Sequence, residues 1–381
     1  GVYMDKEQLN SSAQIKSDII TQVVQEPSRG MLIQLGAAIR NGKLVAIPTE
    51  TVYGLGANGL DPEAMDRIYA AKGRPSDNPL ILHVPDAESI KPLVLEVTKT
   101  AQKLMDAFWP GPLTITLPKS DLVPDRATGG LPRVALRCPD HAICHELLVA
   151  VGVPVAAPSA NISGRPSPTT AEDVYHDMNG RIEYILDDGP CTIGVESTVV
   201  EVHDDAVTIL RPGGITKEML ETVVAHVDYD PNLVTGKTVP KAPGMKYKHY
   251  APDSPMITFV GDDRNVAEAI KQSLIESDTS LLDTQTKHSI RTVQSKIGLL
   301  LSQEVFDLLG SDITDDKQYY CIVYGSSLDY VALAHSFYKS LLLFNEAGVT
   351  RILAQGVLSE GIGVAIMNRM EKASNKHVIY V

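Results

Sequence analysis

Pro48-Thr49-Glu50-Thr51-Val52-Tyr53-Gly54-Leu55-Gly56 leaves an apolar run, Leu44-Val45-Ala46-Ile47, through a polar, glycine-bearing exit. Lys72-Gly73-Arg74-Pro75-Ser76-Asp77-Asn78-Pro79-Leu80 follows further along the chain, and between the two lies one legible helix. Asp61 can cap it, Pro62 suits its first turn, Met65, Ile68 and Tyr69 recur at helical spacing, and Gly73 can close it in the left-handed conformation. Strand, polar exit, helix, cation pair and a further strand at Leu80-Val84 read as one unit of an α/β sheet with covering helices. Two cations and an asparagine held between turn residues suit a phosphorylated ligand, Arg74 offering a planar fork and Lys72 a compact point charge. The helix dipole also favours cations at this end, so the pair has a local explanation as well.

Outward from this unit the same rhythm continues, with strands expected at Leu113-Leu117, Val134-Leu136, Val153-Ala157, Tyr184-Leu186, Ser197-Val202 and Val207-Leu210. His83 faces away from Leu82 and Val84, and Thr114 and Thr116 line one face of their strand, as they would on any half-exposed strand. Pro158-Ser159-Ala160-Asn161-Ile162-Ser163-Gly164, with Ser167, precedes a helix that Thr169-x-x-Glu172 would open as a capping box. Hydroxyls and amides ahead of a helix make an anion site or a plain Asx/Ser turn. Glu196-Ser197-Thr198 and Arg211-Pro212-Gly213-Gly214 add hydroxyls and a cation at strand ends.

From Asp228 to Pro255 the pattern stops among repeated prolines, and it resumes as a smaller parallel α/β arrangement. The expected organisation is a catalytic domain over 24–227, a linker over 228–255 and a second domain over 256–381. No G-x-G-x-x-G follows the second domain's first strand. Gly236-Lys237-Thr238 imitates the end of a P-loop, but the first glycine of that motif would fall at Pro231, which lacks an amide and fixes φ. His141 and His145 stand four apart, yet the residues after them break the metalloprotease spacing, and a solvated helical face explains them better. No G-x-S-x-G elbow marks a hydrolase triad.

Thirty-four Lys and Arg against 47 Asp and Glu leave a formal charge of −13, which argues against stable nucleic-acid binding unless a basic cleft is hidden in the sum. The 44% hydrophobic fraction is that of a globular protein. Cys138, Cys144, Cys191 and Cys321 form no C-x-x-C pair, as expected of buried thiols in a reducing compartment. The polar first residues and the lack of a long apolar run lead us to expect a cytoplasmic protein without a membrane span.

Taken in order, the two opening motifs, Trp109-Pro110-Gly111-Pro112-Leu113-Thr114, Arg137-x-Pro139, Ala157-Pro158-Ser159-Ala160-Asn161, Ser163-Gly164, Glu196-Ser197-Thr198 and Arg211-Pro212-Gly213 closely resemble the YrdC-like family over about Val24 to Val224. Pro243-Gly244-Met245-Lys246-Tyr247-Lys248-His249-Tyr250-Ala251-Pro252 and Gly361-x-Gly363-x-Ala365-x-Met367-Asn368-Arg369 extend the resemblance to its long, two-domain form, the threonylcarbamoyl-adenylate synthases. That resemblance implies a twisted, mixed, open sheet with helices, plus a smaller Rossmann-like parallel α/β domain. It implies a nucleotidyltransferase that makes threonylcarbamoyl-AMP and pyrophosphate from L-threonine, bicarbonate and ATP. The product would pass to a downstream transferase for threonylcarbamoyladenosine in tRNA.

By the same resemblance Lys72, Arg74, Asn78, Ser159, Ser167, Arg211 and Tyr247 would hold ATP, with Arg133 contributing through its strand's main chain. Thr51, His83, Arg137, the Ala157 backbone and Ser197 would hold threonine, with Thr49 close enough to share that role. Mg²⁺ would arrive on ATP and take no protein side chain as ligand. Lys72 and Arg74 would stabilise charge at the reacting phosphorus, and the basic, aromatic linker would close over the cleft as a lid. Arg133 stands where a small or hydroxyl residue is more typical of the family, and Gly1-Val2-Tyr3 precedes Met4, as either a leftover of expression or a processed start would. An RNA-binding module without nucleotide chemistry is the main alternative. Carbamoyl-adenylate formation from carbamoyl phosphate is another, though the cysteine-rich zinc segments of hydrogenase maturation factors have no counterpart here.

Overall fold

The computed structural model describes residues 18–73, 78–235, 249–283 and 295–381. They fall into two units, one comprising Gly1–Ser163 and Ser167–Tyr247, the other Gly164–Pro166 and Lys248–Val381.

The first unit is built on an eleven-stranded sheet: β1 (Gln22–Gln25), β2 (Val45–Ile47), β3 (Gly54–Asn58), β4 (Ile81–His83), β5 (Leu113–Pro118), β6 (Arg133–Arg137), β7 (Val155–Ala156), β8 (Tyr184–Asp187), β9 (Thr198–Val202), β10 (Ala206–Arg211) and β11 (His226–Tyr229). Their order is β1-β8-β2-β3-β7-β4-β6-β5-β9-β10-β11. The pairing is mixed: β4 runs parallel to β6 and β5 to β9, while β3 is antiparallel to both β2 and β7. Gly54–Gly56, read from sequence as a strand exit, is itself the start of β3. The loop at 48–53 reverses the chain, and Gly56 then lies so close to β2 that an added Cβ would come 2.8 Å from the Val45 carbonyl.

Helix α1 (Arg29–Arg40) is capped by Ser28, and α2 (Pro62–Lys72) by Asp61, with Gly73 closing α2 at φ 64°. A helix predicted from capping and period therefore forms where expected. Helices α3 (Lys99–Phe108), α4 (Ala142–Val151) and α5 (Ala171–Met178) complete the larger set. The α5 cap is Thr170, whose side chain accepts from Asp173 N–H at 3.2 Å, one residue after the expected Thr169 box. Thr169 is buried and its carbonyl accepts from Cys191 N–H at 2.9 Å, so the chain is still in a cross-link when it passes that residue. His141 precedes α4 as its N-cap, Nδ1 accepting from Cys144 N–H at 3.1 Å. It thus stands before the helix that carries His145 rather than within it.

One face of the sheet carries the larger core, with Met65, Ile68, Leu82, Leu104, Ile115 and Leu136 among its buried side chains. On the other, α1 and α4 cover β2, β7 and β8 through Leu35, Ile39, Val45, Ile47, Leu147 and Val155. Three cysteines are buried thiols, and burial pushes Cys138 up to about 11 and Cys191 up to about 12. β11 runs into the beginning of the expected linker, and residues 236–248 of that linker lie outside the described residues.

The second unit is a parallel five-stranded sheet, β12 (Met256–Val260), β13 (Ile297–Leu301), β14 (Tyr319–Val323), β15 (Arg351–Gln355) and β16 (Val378–Tyr380), in the order β14-β13-β15-β12-β16. Helices α6 (Asp263–Asp283), α7 (Gln303–Leu309), α8 (Tyr330–Ala347) and α9 (Ile362–Ala373) connect the strands, as a parallel sheet requires. Among the described residues no helix is long and apolar enough to cross a membrane.

Gly36 is where α1 meets α4: a Cβ there would stand 2.7 Å from the Ala150 carbonyl carbon, in backbone that cannot turn aside. We expect Gly36→Ala to lower unfolding free energy by about 1–3 kcal/mol through overpacking, read as a fall in denaturation midpoint with unchanged m-value.

Candidate active site

Three adjacent strands align the chemistry. Register places His83 on β4 opposite Arg137 on β6, and Arg137 opposite Thr114 on β5, so the three side chains share one sheet face. Val199 on β9 pairs with Thr114 in the same row. Ile81, Ala135, Val199 and Leu210 form a small apolar cluster separate from the two main cores.

Arg137 is only 4% exposed, so its charge needs an internal partner. Glu50, 6% exposed, supplies it through a buried ion pair between Oε1 and Nη2. The other Glu50 oxygen accepts from Asp140 N–H at 2.6 Å, and Arg137 Nη1 donates to Thr51 Oγ1 at 2.9 Å. Thr49 and Thr51 hydroxyls lie 2.9 Å apart, Thr49 donating to the Val52 carbonyl at 2.6 Å. Ile193 and Gly194 N–H groups bind the Glu50 and Thr51 carbonyls at 2.8 and 3.0 Å. The polar loop is thus fixed from both sides.

A second cluster flanks it. Ser197 Oγ lies 2.8 Å from Thr114 Oγ1 and accepts from Arg211 Nη2 at 3.2 Å, while Arg211 Nε donates to the Ser197 carbonyl at 2.9 Å. Ser167 donates to Glu196 Oε2 at 2.8 Å. Gly213 backs this corner: an added Cβ would lie 2.3 Å from Thr198 N and 2.6 Å from the Ser197 carbonyl carbon.

Lys72, 2% exposed at the end of α2, donates to the carbonyls of Ser159 and Asn161, the latter at 2.8 Å. Its own carbonyl accepts from Ser163 N–H at 2.9 Å, which ties the helix end to the serine loop. Ser159 also bridges to Gly54 at the start of β3. Asn78 is fully buried, with Tyr69 Oη donating to its carbonyl at 2.6 Å. Ala157 N–H donates to the Ile81 carbonyl at 3.2 Å, beside β4. Arg133 is half-buried and turned to its neighbours, Nη2 donating to the Thr116 carbonyl at 2.7 Å and Nε to Thr116 Oγ1 at 3.2 Å. Burial depresses its pKa, with Glu201 opposing. Arg74 and Tyr247 lie outside the described residues.

His83 is fully enclosed, and burial first, then the Arg137 charge, lowers its pKa to about 3. Nδ1 lies 3.0 Å from the Ile81 carbonyl and 3.3 Å from that of Val155, so the neutral ring carries its proton there. Nε2 is left as an acceptor. The arrangement gathers cationic donors, hydroxyls and one neutral imidazole acceptor without a strongly basic group, which suits binding and aligning anions. Sequence reasoning passed over Glu50, Thr114 and Glu196 as site components. The only trace of Glu50's role was a carboxylate set between two threonines in an otherwise uncharged exit.

The family described as "Telomere recombination" matches residues 37–213, and that described as "Threonylcarbamoyl-AMP synthase, C-terminal domain" matches 215–375. A threonylcarbamoyl-AMP synthase of Pyrococcus abyssi is 44% identical over 90% of this chain and 94% of its own length. One from Bacillus subtilis is 41% identical over 91% and 94%. The crystal structure of P. abyssi Sua5 complexed with L-threonine superposes with a TM-score of 0.82 at 41% identity, covering 95% of this chain and 99% of that one.

Because neutral His83 is favoured in the folded state, the unfolded chain takes up its proton first as pH falls. Its stabilising contribution is complete above about pH 6.5 and is lost as pH falls toward about 3, costing about 2 kcal/mol by pH 5. His83→Gln should flatten the acid limb of a melting-temperature profile between pH 7 and pH 4. Glu50→Ala strands a buried guanidinium and should cost about 3–5 kcal/mol in chemical denaturation. A wild-type value for either variant contradicts the assigned role.

Proposed function

The chain belongs to the threonylcarbamoyl-AMP synthase family, and from that premise we propose that it makes L-threonylcarbamoyl-AMP and pyrophosphate from L-threonine, bicarbonate and ATP. The observation that carries this reading is the buried Glu50–Arg137–Thr51 cluster, aligned with His83 and Thr114 on one face. An amino acid needs a cation for its carboxylate and acceptors for its amine and hydroxyl. Arg137 has N–H groups beyond those given to Glu50, Thr51 and Gly111. Thr51, His83 Nε2, Ser197 and the Ala157 backbone supply the remaining contacts.

For ATP, Lys72, Arg74, Asn78, Ser159, Ser167, Arg211 and Tyr247 are the proposed holders, with the β6 backbone at Arg133 beside them. Mg²⁺ enters as part of the Mg·ATP substrate.

Bicarbonate first takes up a proton and loses water to give CO₂; the unprotonated threonine amine adds to it, a nitrogen–carbon bond forms, and the amine proton passes to solvent. A carbamate oxygen then attacks the α-phosphorus while its bond to the bridging oxygen breaks and pyrophosphate leaves. Neither step needs a strong base, in keeping with a histidine held neutral. The protein's work is alignment, and Lys72 and Arg74 stabilise charge on the phosphoryl oxygens. The labile product would pass to a transferase acting on tRNA.

The test is incubation with ATP, bicarbonate and Mg²⁺, with and without L-threonine, following pyrophosphate and threonylcarbamoyl-AMP. Both products should require threonine. Arg137→Lys should raise the KM for threonine with a smaller change in kcat, and Lys72→Met should lower kcat by about a hundredfold, the usual loss of one transition-state donor. Pyrophosphate release independent of threonine overturns the reading.

A further inference from the structure

β4 and β6 are parallel neighbours, yet the chain leaves them in opposite directions. After β4 it passes through α3 to β5, beyond β6, and Leu104 and Met105 of α3 join the larger core. After β6 it passes through α4 to β7, beyond β4, and Cys144 and Leu147 of α4 join the core on the other face. Open α/β sheets leave a crevice beyond the strand ends at such a point, and ligands use it. Here it is a cavity of about 720 Å³ between the end of α3 and the start of α4, and none of the proposed threonine or ATP holders lines it. A second cavity, of about 440 Å³, continues from it, since Pro85 and Asp86 line both.

The two ends of this groove differ in chemistry. The walls of the second cavity include Leu93, Leu122, Leu148 and Val149, and its only polar residues are Asp86 and Ser89. Val149 is 58% exposed and Leu122 51%, so this end opens an apolar surface to solvent. The first cavity is lined by Asp86, Asp106, Asp140 and Glu146, all four exposed, and no lysine or arginine lines either cavity. Among the described residues none of these four carboxylates takes part in an ion pair. His141 is engaged elsewhere, Nε2 lying 3.0 Å from Asp188 Oδ2. Trp109 forms a half-buried wall of the same cavity, and its indole N–H is already donated to the Leu113 carbonyl at 2.8 Å. What remains for a ligand is the ring itself, a favoured partner of a guanidinium.

We infer that this groove receives a segment of a partner protein that carries arginine at one end and leucine-like side chains at the other. A guanidinium entering the first cavity meets the Trp109 ring and unpaired carboxylates together, the charge complementarity that selects a basic partner. Apolar side chains of the same segment cover Leu122 and Val149 in the second. Helix α4 borders both, with His145 and Glu146 on the first and Leu148 and Val149 on the second. Its ten residues span about 15 Å, the reach of four or five residues of extended chain, so one short segment engages both ends at once. Nucleic acid is repelled by the carboxylates, and a second copy of a chain with net charge −13 is a poor source of the cation. The inference does not depend on the synthase chemistry.

The experiment titrates the blocked peptide acetyl-Leu-Leu-Ser-Arg-Arg-amide, and its reversed sequence, into the full-length chain at pH 7. The readout is the fluorescence of Trp109, the chain's only tryptophan. Saturable binding by one of the two peptides is expected, weakened about tenfold by Asp106→Asn combined with Glu146→Gln, and weakened likewise by added salt. Val149→Ser should weaken it about threefold through lost apolar contact, a change that an acidic site for small cations would not feel. All three side chains are exposed, and circular dichroism of each variant separates lost binding from lost fold. No binding by either peptide, equal binding by the folded variants, or equally tight binding by a peptide with glutamates for arginines overturns the inference. Equally tight binding by arginine amide alone overturns it too, as does dimerisation in sedimentation velocity that Val149→Ser abolishes, which would give the groove to a second copy.

Discussion

Arg137 can be buried only because Glu50 is buried with it, and the geometry of the first unit's site follows from that pair. A guanidinium and a carboxylate removed from water each carry a desolvation cost of several kcal/mol, offset only by close pairing and by bonds to the remaining lone pairs and protons. The pair meets that requirement: Glu50 takes Asp140 N–H as well, and Arg137 reaches Thr51 and the Gly111 carbonyl. Each added bond also locates a different segment, so satisfying one charge fixes the loop at 48–53, the start of β5 and the turn after β6.

The mixed sheet makes this possible. Had β2 been followed by a parallel strand, the 48–53 loop would have been a crossover at the sheet's edge. The antiparallel return through β3 instead lays the loop beside β7, where Tyr53 N–H binds the Pro168 carbonyl and Ala160 N–H the Tyr53 carbonyl. The serine loop is anchored from the other side by Lys72, a cation whose bonds to two carbonyls act as a clasp between helix and loop. Lys72 thus has a structural part at a helix end, which is why a local explanation applied to it in the sequence beside the ligand one.

How much was legible depended on range. Helix α2 was readable end to end because Asp61, Pro62 and Gly73 act on backbone within a few residues of themselves. The α5 cap was misplaced by one residue because Thr169 and Thr170 are equivalent locally, and only Cys191, far along the chain, distinguishes them. β3 was hidden because glycines ordinarily weaken strands; here they are required by the proximity of β2. Glu50's partner is 87 residues away, and Ser167's partner Glu196 is 29 away. No local pattern encodes either. The YrdC-like resemblance named Arg137, Thr51 and Ser167 but not Glu50 and Glu196, the groups that hold them here, which come from contacts rather than from motif.

His83 shows how the enclosing structure selects chemistry. A histidine at its ordinary pKa in such a site would invite assignment as a general base. Two carbonyls within reach of Nδ1 fix the tautomer, while burial and the Arg137 charge remove protonation from the physiological range. A proton taken by such a group would be returned at once, since the imidazolium would sit buried beside a guanidinium. What remains is an oriented lone pair on Nε2, able to accept a hydrogen bond from an amine or hydroxyl without competing for its proton. The proposed reaction, whose steps need alignment more than a base, has use for such a group. A hydrolysis that must activate water by deprotonation does not, so the environment of this one ring favours alignment over acid–base catalysis.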